Sequence, residues 1–238
     1  MKKLIIIPAY NESESIAETV RDIEENAKGF DYVIINDCST DNTAAICRDN
    51  NFNYIDLPIN LGIGGAVQTG YRYAKEYGYD IAVQVDGDGQ HDVSYLGMMA
   101  DELVKEKCDM VIGSRFIKKE GFQSSFARRV GIVYFANLIK LVTGTKITDP
   151  TSGLRMTGRD VIEIFSKDYP KDYPEPESVV AILRQGMKVK EVSVIMRERQ
   201  GGVSSIRLWK SVYYMIKVTI AILVECFRKH RKKVTHES

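Results

Sequence analysis

Cysteine is scarce and scattered. The 238-residue chain has four (Cys38, Cys47, Cys108, Cys226) and no CxxC pair. That excludes a disulfide-framed mini-protein and a cysteine-built metal site, and suggests reduced thiols in a cytosolic protein. Charge of one sign is not in excess: Lys+Arg is 33 against Asp+Glu 32, so no nucleic-acid partner is expected. There is no uncharged apolar run of the roughly 18 residues that a transmembrane helix needs. Met1-Lys2-Lys3 is followed by only residues 4–7 as an apolar stretch before Pro8, shorter than the about 7–15 residues of a signal peptide core. GxxxxGK[ST] is missing, which argues against a P-loop NTPase. No low-complexity linker divides the chain, and 44% apolar with 27% charged residues is ordinary globular composition.

What is present is alternation. Short β-branched runs at 4–7, 32–35, 54–57, 81–85 and 110–112 read as buried strands. Helix-like stretches lie between them at about 13–27, 41–50, 64–77 and 94–106, the first with a capping box from Ser15 and Glu18 or from Asn11 and Glu14. This pattern predicts an α/β fold with a mostly parallel sheet and helices on both faces. Farther on, 124–142 reads as an amphipathic helix carrying Arg128 and Arg129, 148–153 as a loop, the Pro-rich 168–176 as a rigid loop, 188–196 as a last strand and 207–229 as a long helix. One continuous domain (1–205) with a C-terminal appendage (206–238) is expected.

In such sheets ligands sit at the carboxyl ends of the strands. Each early strand is followed by a polar or Gly-rich motif: Pro8-Ala9-Tyr10-Asn11-Glu12, Asn36-Asp37-Cys38-Ser39-Thr40-Asp41, Asn60-Leu61-Gly62-Ile63-Gly64-Gly65, Asp86-Gly87-Asp88-Gly89-Gln90-His91 and Gly113-Ser114-Arg115-Phe116. Asp86-Gly87-Asp88 delivers two carboxylates to the sheet edge, hard oxygen donors that suit Mg²⁺ or Mn²⁺ shared with substrate phosphates. Gln90 offers a further carbonyl oxygen. The same residues also suit a plain Asp-Gly turn. The Gly64-Gly65 turn lacks the third glycine of a dinucleotide fingerprint. It reads either as a tight strand-to-helix turn or as backbone N–H groups approaching a phosphate or sugar.

These motifs, with Thr151-Ser152-Gly153-Leu154-Arg155, occur in an order that resembles the family 2 inverting glycosyltransferases of the GT-A fold, a Rossmann-like α/β fold, and within them the dolichyl- or polyprenyl-phosphate sugar transferases. The resemblance spans roughly residues 3–205. It implies that Pro8, Tyr10, Glu12 and Asp37 hold the nucleoside, with the Asp37 carboxylate accepting an imide N–H of the base. Asp86, Asp88 and Gln90 would surround a Mg²⁺ or Mn²⁺ bridging the donor diphosphate. Arg115 and Arg129 would meet phosphate charge, and Arg199 would reach over the diphosphate from a late loop. The family often has lysine where this chain has Ser205, alanine or valine where it has Gly87, and two C-terminal transmembrane helices that are absent here as such.

The reaction so implied moves a hexose or N-acetylhexosamine, with inversion, from a nucleotide diphosphate sugar to polyprenyl phosphate. Uridine is the expected base and guanosine the alternative. A phosphate monoester is mostly dianionic near pH 7, its second pKa being about 6, so it attacks without a base and needs arginine to place it. Arg129, beside Arg128, suits that role; a solvated helix face is the simpler reading of the pair. Asp149 is the fallback base if the acceptor is a saccharide hydroxyl in polysaccharide assembly, and equally a turn or N-cap aspartate. A non-catalytic nucleotide-sugar-binding subunit is a third reading. Residues 212–224 are apolar but for Lys217 and Thr219, preceded by Trp209 and followed by a basic run from Arg228 to Lys233. This predicts an amphipathic helix lying on a membrane surface through 206–233, peripheral on the cytoplasmic face. A small membrane protein or a second copy of the chain are alternative covers for the same face.

Overall fold

The computed structural model describes residues 1–118, 126–197 and 208–228, with side chains of 126–128 and 208–212 left out. The expected alternation is present. Strands β1 (Lys3–Ala9), β2 (Asp31–Asn36), β3 (Tyr54–Asp56), β4 (Ile81–Gln84) and β5 (Met110–Ser114) are separated by helices α1 (Ile16–Asn26), α2 (Thr43–Asp49), α3 (Gly62–Glu76) and α4 (Leu96–Lys105). Then come α5 (Phe126–Thr143), β6 (Arg155–Gly158), α6 (Arg159–Lys167), α7 (Pro174–Arg184), β7 (Val189–Ser193) and α8 (Leu208–Phe227). The sheet order is β3-β2-β1-β4-β6-β5-β7. All pairings are parallel except those of β6, which runs against β4 and β5.

Continuous apolar strands arise because both faces are covered and alternate side chains go to opposite sides. Leu4 and Ile6 of β1 enter one core with Val67 and Tyr71 of α3, Phe135 of α5 and Phe165 of α6. Ile5 and Ile7 enter the other with Ile16, Val20 and Ile23 of α1 and Leu96 and Met99 of α4. Helix α8 places Val218 and Ile222 in the first core.

Three local expectations are corrected. No capping box forms at α1: the Ser15 hydroxyl donates to Glu12 Oε2 (3.0 Å) and Asn11 Oδ1 accepts the Thr40 N–H (2.8 Å). The Pro-rich stretch is a loop only to Tyr173, because Pro174 opens α7 at its first turn, where proline's missing N–H costs nothing. Strand β6 and helix α6 had no counterpart in the sequence reading.

The antiparallel β6 has a direct consequence for the site. Its start, Arg155, pairs with Gln84 and Ile112 near the carboxyl ends of β4 and β5. The loop that precedes β6 therefore shares an edge with the loops that follow the parallel strands.

Candidate active site

The chain order reverses between β1 and β4, where an open α/β sheet has its crevice. Pro8 marks where the two strands part. β1–β4 pairing ends at Ile6 and Gln84, whereas β1–β2 pairing continues to Ala9 and Asn36. Proline has no N–H to extend the ladder. Beyond this point Gly87 passes over Pro8, so that a Cβ on it would lie 3.3 Å from the Pro8 carbonyl and 3.5 Å from Glu12 Cγ.

The β1–β2 side of the edge is a laced pair of loops. Asp37 is buried, and its Oδ1 accepts the Leu61 N–H at 2.7 Å while Asn60 Nδ2 bonds its carbonyl. Asn11, in the left-handed region at φ 58, donates its N–H to Ser39 Oγ (2.9 Å). Asp41 takes N–H groups from Ser13 and Thr43. Burial pushes the Asp41 carboxyl up, but the Thr43 and Ser13 hydrogen bonds outweigh it and hold the group below its ordinary value. Tyr10 is exposed at the mouth.

Across the crevice, Asp86 Oδ1 accepts from Gln84 Nε2 (2.9 Å), and its side chain is 37% exposed. Asp88 Oδ1 accepts the Gln90 N–H (3.1 Å), which folds the loop into an Asx turn. Gly153 comes up beside Asp86: a Cβ there would lie 2.8 Å from Oδ2. No group of three His, Cys, Asp or Glu side chains is gathered among the described residues. Two carboxylates with the Gln90 carbonyl still fit Mg²⁺ or Mn²⁺, which keep positions for substrate phosphate. The Gln90 carbonyl that faces the protein is taken by the Arg197 N–H (2.9 Å), so the side-chain oxygen is the one for that set.

The far side is sealed. Asp149 is wholly buried, and its oxygens accept Arg115 Nε and Nη2, both at 2.7 Å, in a fork. Nη2 also reaches Thr151 Oγ1 (3.1 Å). The guanidinium expected to meet phosphate thus has Nε and Nη2 committed within the protein. Asp149 does not suit a general base: it has no exposed surface and a tightly paired cation. Behind it Glu191 of β7 accepts the Thr148 and Asp149 N–H groups (2.7 and 2.8 Å). Burial raises the Glu191 carboxyl above its ordinary value, and the neighbouring Asp149 adds to that, against the pull of the backbone N–H groups.

Arg155 is buried and spans the loop. Nε and Nη2 donate to the Ser152 and Pro150 carbonyls (both 2.7 Å), and Nη1 to Ser178 Oγ (2.7 Å) and the Glu175 carbonyl. Gly64, expected near the donor, gives its N–H to the Lys171 carbonyl (3.1 Å), and a Cβ on it would sit 2.1 Å from the Pro170 oxygen. Its close approach is to protein backbone, while a Cβ on Gly65 would strike Leu61 of the turn itself. Arg129 is exposed in the first turns of α5. Arg199 lies outside the described residues. The sequence assigns no role to Glu191, nor to His91 although it closes the Asp86–His91 motif; their bonds to Asp149 and Asp86 appear only in the folded chain.

This is the GT-A fold. The chain superposes over 96% of its length, with a TM-score of 0.72 and 16% identity, on 81% of a glucosyl-3-phosphoglycerate synthase from Mycobacterium tuberculosis, crystallised with Mn²⁺, uridine diphosphate and glucosyl-3-phosphoglycerate. The chain belongs to glycosyl transferase family 2, whose profile matches residues 4–165. An undecaprenyl-phosphate mannosyltransferase of Micrococcus luteus is 28% identical over 86% of this chain and 87% of its own length. A UDP-N-acetylglucosamine–dolichyl-phosphate N-acetylglucosaminyltransferase of Methanococcus voltae is 29% identical over 80% of this chain and 83% of its own.

Proposed function

We propose that the chain transfers a hexose or N-acetylhexosamine, with inversion, from a UDP-linked sugar to polyprenyl phosphate at the cytoplasmic leaflet. The observation that carries this is the placement at one carboxyl edge of the sheet, on either side of β1, of the buried Asp37 after β2 and of Asp86 and Asp88 after β4. Relatives named for lipid-phosphate acceptors, matched over most of their length, support the acceptor, and one of them is named for a UDP-sugar donor.

In this reading Asp37 Oδ2 accepts the imide N–H of uracil, and Pro8, Tyr10 and Glu12 flank the nucleoside. Mg²⁺ or Mn²⁺ held by Asp86, Asp88 and Gln90 supplies neutralising charge for the departing nucleoside diphosphate. Arg129 holds the lipid phosphate, a bidentate guanidinium being suited to its oxygens, and Arg199 serves the diphosphate. The dianion is its own nucleophile, so the sealing of Asp149 costs nothing here, whereas a saccharide hydroxyl would have lost its base.

The flank suits a lipid acceptor. Helix α8 seats Val218 and Ile222 inward while Tyr213, Ile216, Ile220, Leu223, Val224 and Phe227 form an exposed stripe. Val130, Val133 and Tyr134 of α5 are exposed beside it, and Tyr134 bonds Thr219 of α8 at 3.1 Å. No helix among the described residues is long and apolar enough to cross a membrane. In our reading residues 1–205 carry out transfer and 206–238 lie on the bilayer surface. Arg228, the first of the basic run, already pairs with Asp168 (2.8 Å); the rest of the run lies outside the described residues.

The test is purified protein with vesicles holding polyprenyl phosphate and a panel of labelled UDP- and GDP-sugars. A lipid-linked product with a UDP-sugar is expected. Asp88→Ala should cut its rate by about 10²–10³-fold or more, the scale of losing preorganised charge stabilisation, with unchanged thermal unfolding. No lipid-linked product with any donor would overturn the proposal.

A further inference from the structure

Asp86 is held from three directions. Gln84 Nε2 donates to Oδ1, and Gly153 stands against Oδ2. The third contact comes from His91, whose side chain is 3% exposed. Its Nδ1 accepts the backbone N–H of Asp86 at 3.0 Å, and its Nε2 lies 3.7 Å from Asp86 Oδ2. A ring nitrogen that accepts carries no hydrogen, so in the neutral imidazole the N–H sits on Nε2, on the side of the carboxylate. His91 is itself anchored by an antiparallel bridge to Met196, just past β7.

The position of this bond matters. Only two side-chain torsions separate the Asp86 nitrogen from the carboxylate oxygens, so fixing that nitrogen fixes the frame in which the side chain rotates. The same bond closes the 86–91 loop on itself, and within that loop the Gln90 N–H sets the Asp88 carboxylate. We propose that His91 is a positioning residue for Asp86: by accepting the Asp86 N–H it closes the 86–91 loop and aims the Asp86 carboxylate at a divalent cation. This rests on the reading of Asp86 and Asp88 as cation ligands. His91 is not itself a ligand, because Nδ1 is taken by the backbone and Nε2 faces Asp86.

The ring also fills buried space, and a purely structural histidine would affect stability without touching cation affinity. Mn²⁺ binding, read by electron paramagnetic resonance of the free ion in the presence of uridine diphosphate, separates the two roles. It is measured on wild type, His91→Ala and His91→Asn, each with its metal-free unfolding midpoint. Asparagine offers an oxygen close to where Nδ1 lies and nothing near Nε2. His91→Ala should raise the Mn²⁺ Kd by about 10–100-fold, the usual scale for removing a group that orients a ligand, and His91→Asn should return it to within about threefold of wild type. Wild-type affinity in His91→Ala overturns the proposal. So does a His91→Asn protein that folds yet binds as weakly as the alanine variant. If the alanine variant does not fold, the asparagine variant decides alone. Wild-type protein that binds no Mn²⁺ would instead overturn the cation reading of Asp86 and Asp88, a distinguishable result.

Discussion

At the carboxyl edge of the sheet Asp149 has no exposed surface and is doubly bonded to Arg115, whereas on the α5–α8 flank Phe227 is 88% exposed and Ile216 and Ile220 are each 56% exposed. The edge satisfies buried polar groups within the chain, as burial demands. The flank leaves a contiguous apolar stripe with no cover from the described residues, which marks an interaction surface. In the proposed function the edge faces a water-borne, charged donor and the flank faces lipid. An enzyme that moves a sugar from a nucleotide diphosphate to a lipid phosphate, releasing the nucleoside diphosphate, needs both.

Three substitutions test that contrast. The largest effect is expected from Asp149→Asn, which leaves the Arg115 charge buried without its carboxylate. Breaking such a pair costs about 3–5 kcal/mol, so thermal unfolding should fall by roughly 10 °C. Activity per folded molecule should stay near wild type. Full stability with abolished transfer would make Asp149 a base after all and favour a hydroxyl acceptor. Next is Ile220→Asp on the stripe. Losing the burial of one such side chain in lipid is worth about 1.5–3 kcal/mol, so vesicle co-sedimentation should drop about tenfold or more. Unfolding temperature should not move, and equal sedimentation would remove the stripe from membrane contact.

The smallest effect concerns pH. Glu191 has its folded-state pKa raised by burial, so the folded protein resists its ionisation while the unfolded chain does not. Its contribution is full below the ordinary carboxylate value of about 4.3 and declines as pH rises through the raised value. The stability difference between wild type and Glu191→Gln should therefore shift against wild type as pH rises above the ordinary carboxylate value. A flat difference, or one growing with pH, contradicts the burial cause.

Much of the edge was legible beforehand. β1 to β5 are short β-branched runs, and the motif after each falls at the strand end that topology makes the ligand side. The rest was hidden for identifiable reasons. β6 is four residues, Arg155-Met156-Thr157-Gly158, with an arginine and a glycine and no apolar run, so only its pairing defines it. Pro174 and Pro176 looked like loop punctuation because the rule that proline opens helices needs a known helix start. Asp149 reads from the sequence equally as a fallback base or as a turn or N-cap aspartate, because Arg115, 34 positions earlier, pairs with it only after folding. Gly64 is glycine because of the Lys171 and Pro170 carbonyls, a neighbour no local pattern announces.

Helix α8 carries Val218 and Ile222 into the core it shares with Phe135 and Ile139, and Lys217 and Arg228 tie it to Asp172 and Asp168. A fragment cut off at about residue 205 would not be a trimmed, better-behaved enzyme. It would bare an inner apolar wall, exchanging one sticky surface for another. Handling the protein without detergent calls for polar replacements along the outer row of α8, with the helix itself left in place.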